Sequence, residues 1–269
     1  MKMNLIIILY SSFSLLFLYS SCSADPIHHL CGDDTKVKDY PEVSRNIAIL
    51  VDKVGAGATN NGGGFSATSY GAGLAEAFGL AQCRQDVPKA DCAACIRDAT
   101  VNIRKLCPVQ ADAKIWYDYC FLRYKLENFF GQVDTSGIYY YNVANADDPN
   151  TFNKKLGALM QVVRSDATKA GNKGLGKGQT KISTFLTLYG LAQCTRDLSD
   201  INCAQCLAIG IGNFERFCKD KIGCRVVYST CYIRYELYPF YFPLDATAMA
   251  NLSERSAGKN YKTFIPRTL

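Results

Sequence analysis

Five cysteines recur at one spacing in two places. Cys83, Cys92, Cys95, Cys107 and Cys120 follow C-x8-C-x2-C-x11-C-x12-C, and Cys194, Cys203, Cys206, Cys218 and Cys231 repeat every step 111 residues later. A repeat of that length marks two copies of one domain rather than a solenoid of short units. The copies agree outside the cysteines as well: Gly79-Leu80-Ala81-Gln82-Cys83 matches Gly190-Leu191-Ala192-Gln193-Cys194, and Arg123-Tyr124 matches Arg234-Tyr235. A chain of 269 residues accommodates two such domains of ordinary size.

The amino terminus sets the redox context of the cysteines. Lys2 precedes a mostly apolar run over residues 5–19, and Cys22-Ser23-Ala24 offers small residues for cleavage before Asp25, so residues 1–24 read as a secretory signal. The run is shorter than the roughly 20 apolar residues of a membrane span. Residues 245–269 form a polar, basic tail without the hydrophobic end of a lipid-anchor signal. The expectation is a mature protein exported to the apoplast with no membrane span.

Cleavage removes Cys22 and leaves twelve of the 13 cysteines, and in an oxidising compartment an even set points to six disulfides. Two CxxC pairs, Cys92 with Cys95 and Cys203 with Cys206, bring zinc and redox chemistry into consideration. His28 and His29 are the only histidines, and the remaining cysteine spacings are not those of zinc knuckles. Neither pair has the Trp or Pro neighbour of a thioredoxin-like site. No metal or cofactor is expected.

Hydrophobic periodicity gives the same order of elements in each copy. Val43, Ile47, Leu50, Val51 and Val54 fall at helical spacing, as do Phe152, Leu156, Leu159, Met160 and Val163. Glycine-rich stretches over residues 55–64 and 171–178 read as loops. Residues 65–83 and 181–194 read as strand pairs, residues 90–106 and 200–217 as second helices, and residues 114–130 and 225–242 as closing strands rich in Tyr, Phe, Val and Ile. Asp91 or Asp200 lies near the expected start of each second helix. Helix, strands, helix, strands describes an α+β domain, an antiparallel sheet with two helices packed on it.

The cysteine ladder, with the closing Cys231-Tyr232-Ile233-Arg234-Tyr235-Glu236, resembles the plant cysteine-rich repeat secretory proteins. Their domain is shared with ginkbilobin-type antifungal lectins and with the ectodomains of cysteine-rich receptor-like kinases and plasmodesmata-located proteins. The resemblance covers residues 27–244, with a first domain over 27–131 and a second over 137–244. It implies the pairs Cys31–Cys107, Cys83–Cys92, Cys95–Cys120, Cys194–Cys203 and Cys206–Cys231. Tyr141 stands where a second-domain counterpart of Cys31 is expected, and Cys224 is new, so Cys218 and Cys224 are left to form a local bridge.

Nothing in the sequence resembles an active site, and no enzyme is expected. The run Gly171 to Gly178 imitates the start of a phosphate loop, but Gly178 stands where Ser or Thr is required. The lectin resemblance instead implies a mannose site made of an Asn, an Arg and a Glu. In the second domain these fall on Asn142, Arg225 and Glu236; the first has Gly32 or Asp33, then Lys114 and Lys125. Amide, guanidinium and carboxylate groups suit vicinal hydroxyls. Eleven residues of continuous strand would hold Arg225 and Glu236 roughly 36 Å apart, so the site requires a hairpin near residues 229–231. A plainer reading makes Arg225 and Glu236 a surface ion pair and puts Asn142 in a turn.

The competing function is an extracellular protein-interaction module in stress or pathogen signalling. The aromatic groups at residues 139–141 and 238–242 serve either a binding platform or strand and domain packing. The formal charge, +6 for the full chain and +5 without Lys2, suits acidic cell-wall polymers or anionic microbial surfaces, while the absence of basic runs argues against nucleic acid. Asn251 heads the only glycosylation sequon.

Overall fold

The computed structural model describes residues 25–32, 37, 40–60, 63–244 and 261–265. The expected signal segment and Asn251 lie outside the described residues. In the first domain the elements run β1 (His28–Cys31), α1 (Pro41–Asn60), β2 (Phe65–Tyr70), β3 (Ala77–Cys83), α2 (Lys89–Leu106), β4 (Ala113–Trp116) and β5 (Cys120–Lys125). In the second they run β6 (Gly137–Asn142), α3 (Pro149–Ala167), β7 (Leu175–Lys181), β8 (Thr187–Cys194), α4 (Asp200–Gly212), the single turn α5 (Phe214–Phe217), β9 (Cys224–Tyr228) and β10 (Cys231–Glu236). A last strand, β11 (Tyr261–Phe264), closes the described chain.

Two antiparallel sheets result, ordered β1-β4-β5-β3-β2 and β11-β6-β9-β10-β8-β7. The helical spacing read in the sequence is the buried face of α1, where Ile47, Leu50, Val51 and Val54 are buried, and of α3, where Phe152, Leu156, Leu159, Met160 and Val163 are. Six disulfides staple the two cores, three per domain: Cys31–Cys107, Cys83–Cys92 and Cys95–Cys120, then Cys194–Cys203, Cys206–Cys231 and Cys218–Cys224.

Several local expectations are corrected. Gly55 and Gly57 do not belong to a loop, because α1 continues to Asn60; of the expected loop, Gly63 and Gly64 follow the helix with positive φ. Gly176 and Gly178 lie inside β7, the strand nearest α3, rather than in a loop before it. Asp91 and Asp200 sit in the first helical turn, where a carboxylate complements the helix dipole, while Ser199 caps α4 by accepting from Asn202 N. His28 and His29 belong to β1, paired with Trp116 and Ile115 of β4. The polar tail supplies β11, which pairs Tyr261 with Asn142 and Phe264 with Tyr139.

The domains pack as one body through the outer faces of their sheets. Trp116, Ile138 and Val227 form a small core flanked by Leu30, Phe121, Tyr140 and Tyr232. Trp116 Nε1 donates to Tyr228 O at 3.2 Å, and Tyr140 Oη donates to Ile27 O at 2.5 Å. Two glutamines, equivalent in the repeat, exchange bonds across the junction. Gln82 Nε2 donates to Cys194 O at 2.9 Å and Gln193 Nε2 to Cys83 O at 3.2 Å. Gln82 Oε1 accepts from Arg196 N at 2.8 Å and Gln193 Oε1 from Gln85 N at 2.9 Å. The aromatics after β10 join the same seam: Arg84 donates to Phe240 O, and Phe242 N donates to Asp86 Oδ2.

Candidate functional site

Strand alternation decides which side chains share the outer face of the second sheet. Successive residues of a strand point to opposite faces. Tyr139, Cys224, Val226, Ile233 and Tyr235 enter the helix-covered core. Asn142, Arg225, Arg234 and Glu236 therefore share the other face. The turn at residues 229–230 folds β10 back on β9, placing Arg234 opposite Arg225 and Tyr235 opposite Cys224. The hairpin required by the sequence reading is present, and it brings Arg225 Nε to 3.7 Å from Glu236 Oε1.

The pair is not at the surface, which corrects the plainer reading. Glu236 is 1% exposed, Arg234 2% and Arg225 7%. Charges removed from water this far must be paired. Arg234 Nε donates to Glu236 Oε1 at 2.8 Å, and Arg225 Nη1 donates to Asp118 Oδ1 of the first domain at 2.7 Å. Burial works against the charge on Asp118, but Arg225, Arg234 and Arg84 outweigh it and hold the carboxyl below its usual range. The group thus contains two cations and two anions. One donor stays spare: Arg225 Nε is buried without a hydrogen-bond partner.

Asn142 lies on the same face, but its side chain turns back. Its Oδ1 accepts from Ala144 N at 2.9 Å, the turn role that the plainer reading gave it. Between Asn142 and Glu236 the row is completed by Gly223, whose carbonyl accepts from Asn142 N at 2.9 Å. Over that glycine lies Tyr261 of β11. Its hydroxyl donates to Glu236 Oε2 at 2.5 Å, and the Arg225 guanidinium stands 5.4 Å from its ring centre. Burial, then the Glu236 charge, raises the Tyr261 phenol far above its ordinary value, so it stays protonated as a donor. A Cβ on Gly223 would fall 2.1 Å from Glu236 Oε2 and 3.1 Å from Tyr261 Oη. Only a glycine leaves room for that meeting.

Asp118, Arg234, Gly223 and Tyr261 were missed in the sequence. Arg234 was visible only as part of a repeated Arg-Tyr pair, and Asp118 belongs to the other domain. In the first domain the equivalents of Arg225 and Glu236 serve other ends. Lys114 Nζ binds Asp134 and Ser136 of the interdomain linker, and Lys125 pairs with Glu127. Among the described residues no cluster of His, Cys, Asp or Glu is arranged to hold a metal ion, and no helix is long and apolar enough to cross a membrane.

The profile of the salt stress response/antifungal family matches residues 30–127 and again residues 140–238. The chain belongs to that family. Cysteine-rich repeat secretory protein 55 of Arabidopsis thaliana is 48% identical over 237 residues, 87% of this chain and 90% of that protein. An antimicrobial ginkbilobin-2-like protein of Castanea crenata is 38% identical over 226 residues, 84% and 92% of the two chains. The crystal structure of the tandem DUF26 ectodomain of the Arabidopsis thaliana cysteine-rich receptor-like protein PDLP8 superposes with a TM-score of 0.69 at 26% identity, over 78% of this chain and 97% of that one. The fold is therefore a tandem of DUF26 domains.

Proposed function

We propose that this chain is an exported, non-catalytic binding protein of plant stress and antifungal responses, and that its second domain takes a mannose-type sugar at Asn142, Arg225 and Glu236. Relatives named secretory and antimicrobial support the setting. The observation that carries the sugar reading is the position of Tyr261. A hydroxyl donating to Glu236 is what a bound pyranose would present to the same carboxylate, and the Arg225 guanidinium under the Tyr261 ring is placed to donate to further sugar hydroxyls. Tyr261 is then an internal occupant, and the sugar enters when it withdraws. Arg225 Nε, 3.7 Å from Glu236 Oε1 and without a hydrogen bond, supplies a further donor.

Mannose titrated calorimetrically into the full chain should give little heat, and into Tyr261→Ala binding at least tenfold tighter, abolished again in Tyr261→Ala with Glu236→Ala. A Tyr261→Ala protein that is folded yet silent to mannose and mannan sinks the reading.

A protein partner is the second reading, favoured by two exposed apolar tips. Leu74 and Phe185, 99% and 97% exposed, lie 111 residues apart at the same hairpin of each repeat. If they dock a protein, Leu74→Ser with Phe185→Ser abolishes binding to extracellular receptor ectodomains in a pairwise screen while leaving sugar binding intact.

A further inference from the structure

The opposite face of β11 borders a groove that lies across the sheet from the Arg225 and Glu236 row. Because Tyr261 points to one face, Lys262 and Phe264 point to the other, opposite Tyr141 and Tyr139 of β6. They meet α5 there. Phe217 stacks 4.7 Å from Phe264 and 4.1 Å from Tyr139, between ring centres. The groove so formed has a volume of about 550 Å³. Its aromatic walls are Tyr141, Phe217 and Phe264, and its charged lining consists of Arg216, Lys219, Lys221 and Lys262, with no acidic side chain among the lining residues.

The cations are available. Arg216 stacks 4.9 Å from the Phe217 ring, and Lys221 stands 5.7 Å from the Tyr141 ring while bonding to Val143 O and Asn145 Oδ1, both neutral. Among the described residues Arg216, Lys221 and Lys262 form no ion pair. Lys219 pairs with Glu215, but both side chains are exposed, and such pairs contribute little. Four like charges around one concavity focus a positive field that a neutral ligand leaves uncompensated.

We propose that this groove binds a linear polyuronate, an acidic oligosaccharide carrying a carboxylate on each ring. Apolar sugar faces fit the aromatic walls, and regularly placed carboxylates fit the cations that α5, the turn after it and β11 contribute. A phospholipid surface fits less well, because the aromatics stack inward on one another and present no apolar helix face to a bilayer.

The test is calorimetric titration of the full chain with a short oligogalacturonate, its methyl-esterified form and phosphatidylserine vesicles. Oligogalacturonate should bind, with affinity falling as salt rises, and neither the neutral ester nor the vesicles should match it. Arg216→Gln with Lys262→Gln should weaken binding about tenfold or more. Arg216→Gln alone, outside β11, should weaken it measurably even if the double variant loosens that strand. Unchanged affinity in both variants overturns the assignment, and so does equal binding of the ester or preferential binding of the vesicles.

Discussion

Asp134 shows how one partly buried carboxylate can make the linker depend on acidity. It accepts from Lys114 Nζ at 2.9 Å and from Arg123 Nη1 at 3.1 Å, while its backbone N–H bonds to Thr230 Oγ1 of the second domain. Burial opposes its charge, but Lys114 and the bonds from Ser136 and Lys114 prevail and bring its pKa from 3.8 to about 2. A folded value below the unfolded one adds stability above the unfolded value that is lost as pH falls through the folded one. The window is therefore between pH 4 and pH 2, and the full contribution is about 2 kcal/mol. Urea unfolding at pH 7 should find Asp134→Asn less stable by about that amount, with the gap to the native chain closing toward pH 2. A gap that persists undiminished at pH 2 would contradict the assignment. At this scale the sequence is partly legible. Arg225 and Glu236 converge because a hairpin joins them, and a hairpin is a local event. Asp118 and Tyr261 complete the group from distant parts of the chain, and no local spacing announces them.

Elements were legible where periodicity speaks and illegible where glycine has two meanings. The stretch from Gly171 to Gly178 suggests a loop by composition, yet its second half is the strand β7 under α3. The reason is distance. A Cβ on Gly176 would lie 1.9 Å from Val163 O and 2.7 Å from Ala167 N, so the helix backbone rests directly on the strand backbone. That contact is with backbone on both sides and cannot be relieved by a rotamer change. Gly176→Ala should therefore destabilise by about 3 kcal/mol, at the upper end of overpacking costs, whereas Gly157→Ala, whose Cβ meets nothing within 4 Å, should be neutral or slightly stabilising. Thermal melts of the two variants decide it, and equal melting temperatures would remove the close-approach account. Short strands at a sheet edge or next to one were the other omission. β1, β6 and β11 have four to six residues each and draw their stability from a neighbour already in place, so their own patterns are weak.

At the scale of the molecule, the repeat that defines two domains also supplies the means of joining them. Gln82 and Gln193 occupy equivalent positions just before Cys83 and Cys194, and each reaches across to the backbone of the other copy. The identical Gly-Leu-Ala-Gln-Cys runs could be read as a shared scaffold, but only the docked pair reveals that the glutamines face one another. Both are buried, 5% and 4% exposed, so truncating either leaves a backbone carbonyl and an N–H without partners. Such a loss costs about 1 to 3 kcal/mol per site. The chain carries its own reporter of this seam. Trp116, its single tryptophan, is buried there against Phe121 and donates to Tyr228 O. In the native chain, Trp116 fluorescence and far-ultraviolet dichroism should change together with urea, as expected for one cooperative body. In Gln82→Ala with Gln193→Ala, the fluorescence change should move to lower urea while the dichroism, anchored by three disulfides in each domain, follows later. Two signals that still coincide at the native midpoint would mean that the glutamines do not hold the domains together and that the seam depends on its apolar core and on Arg225 with Asp118.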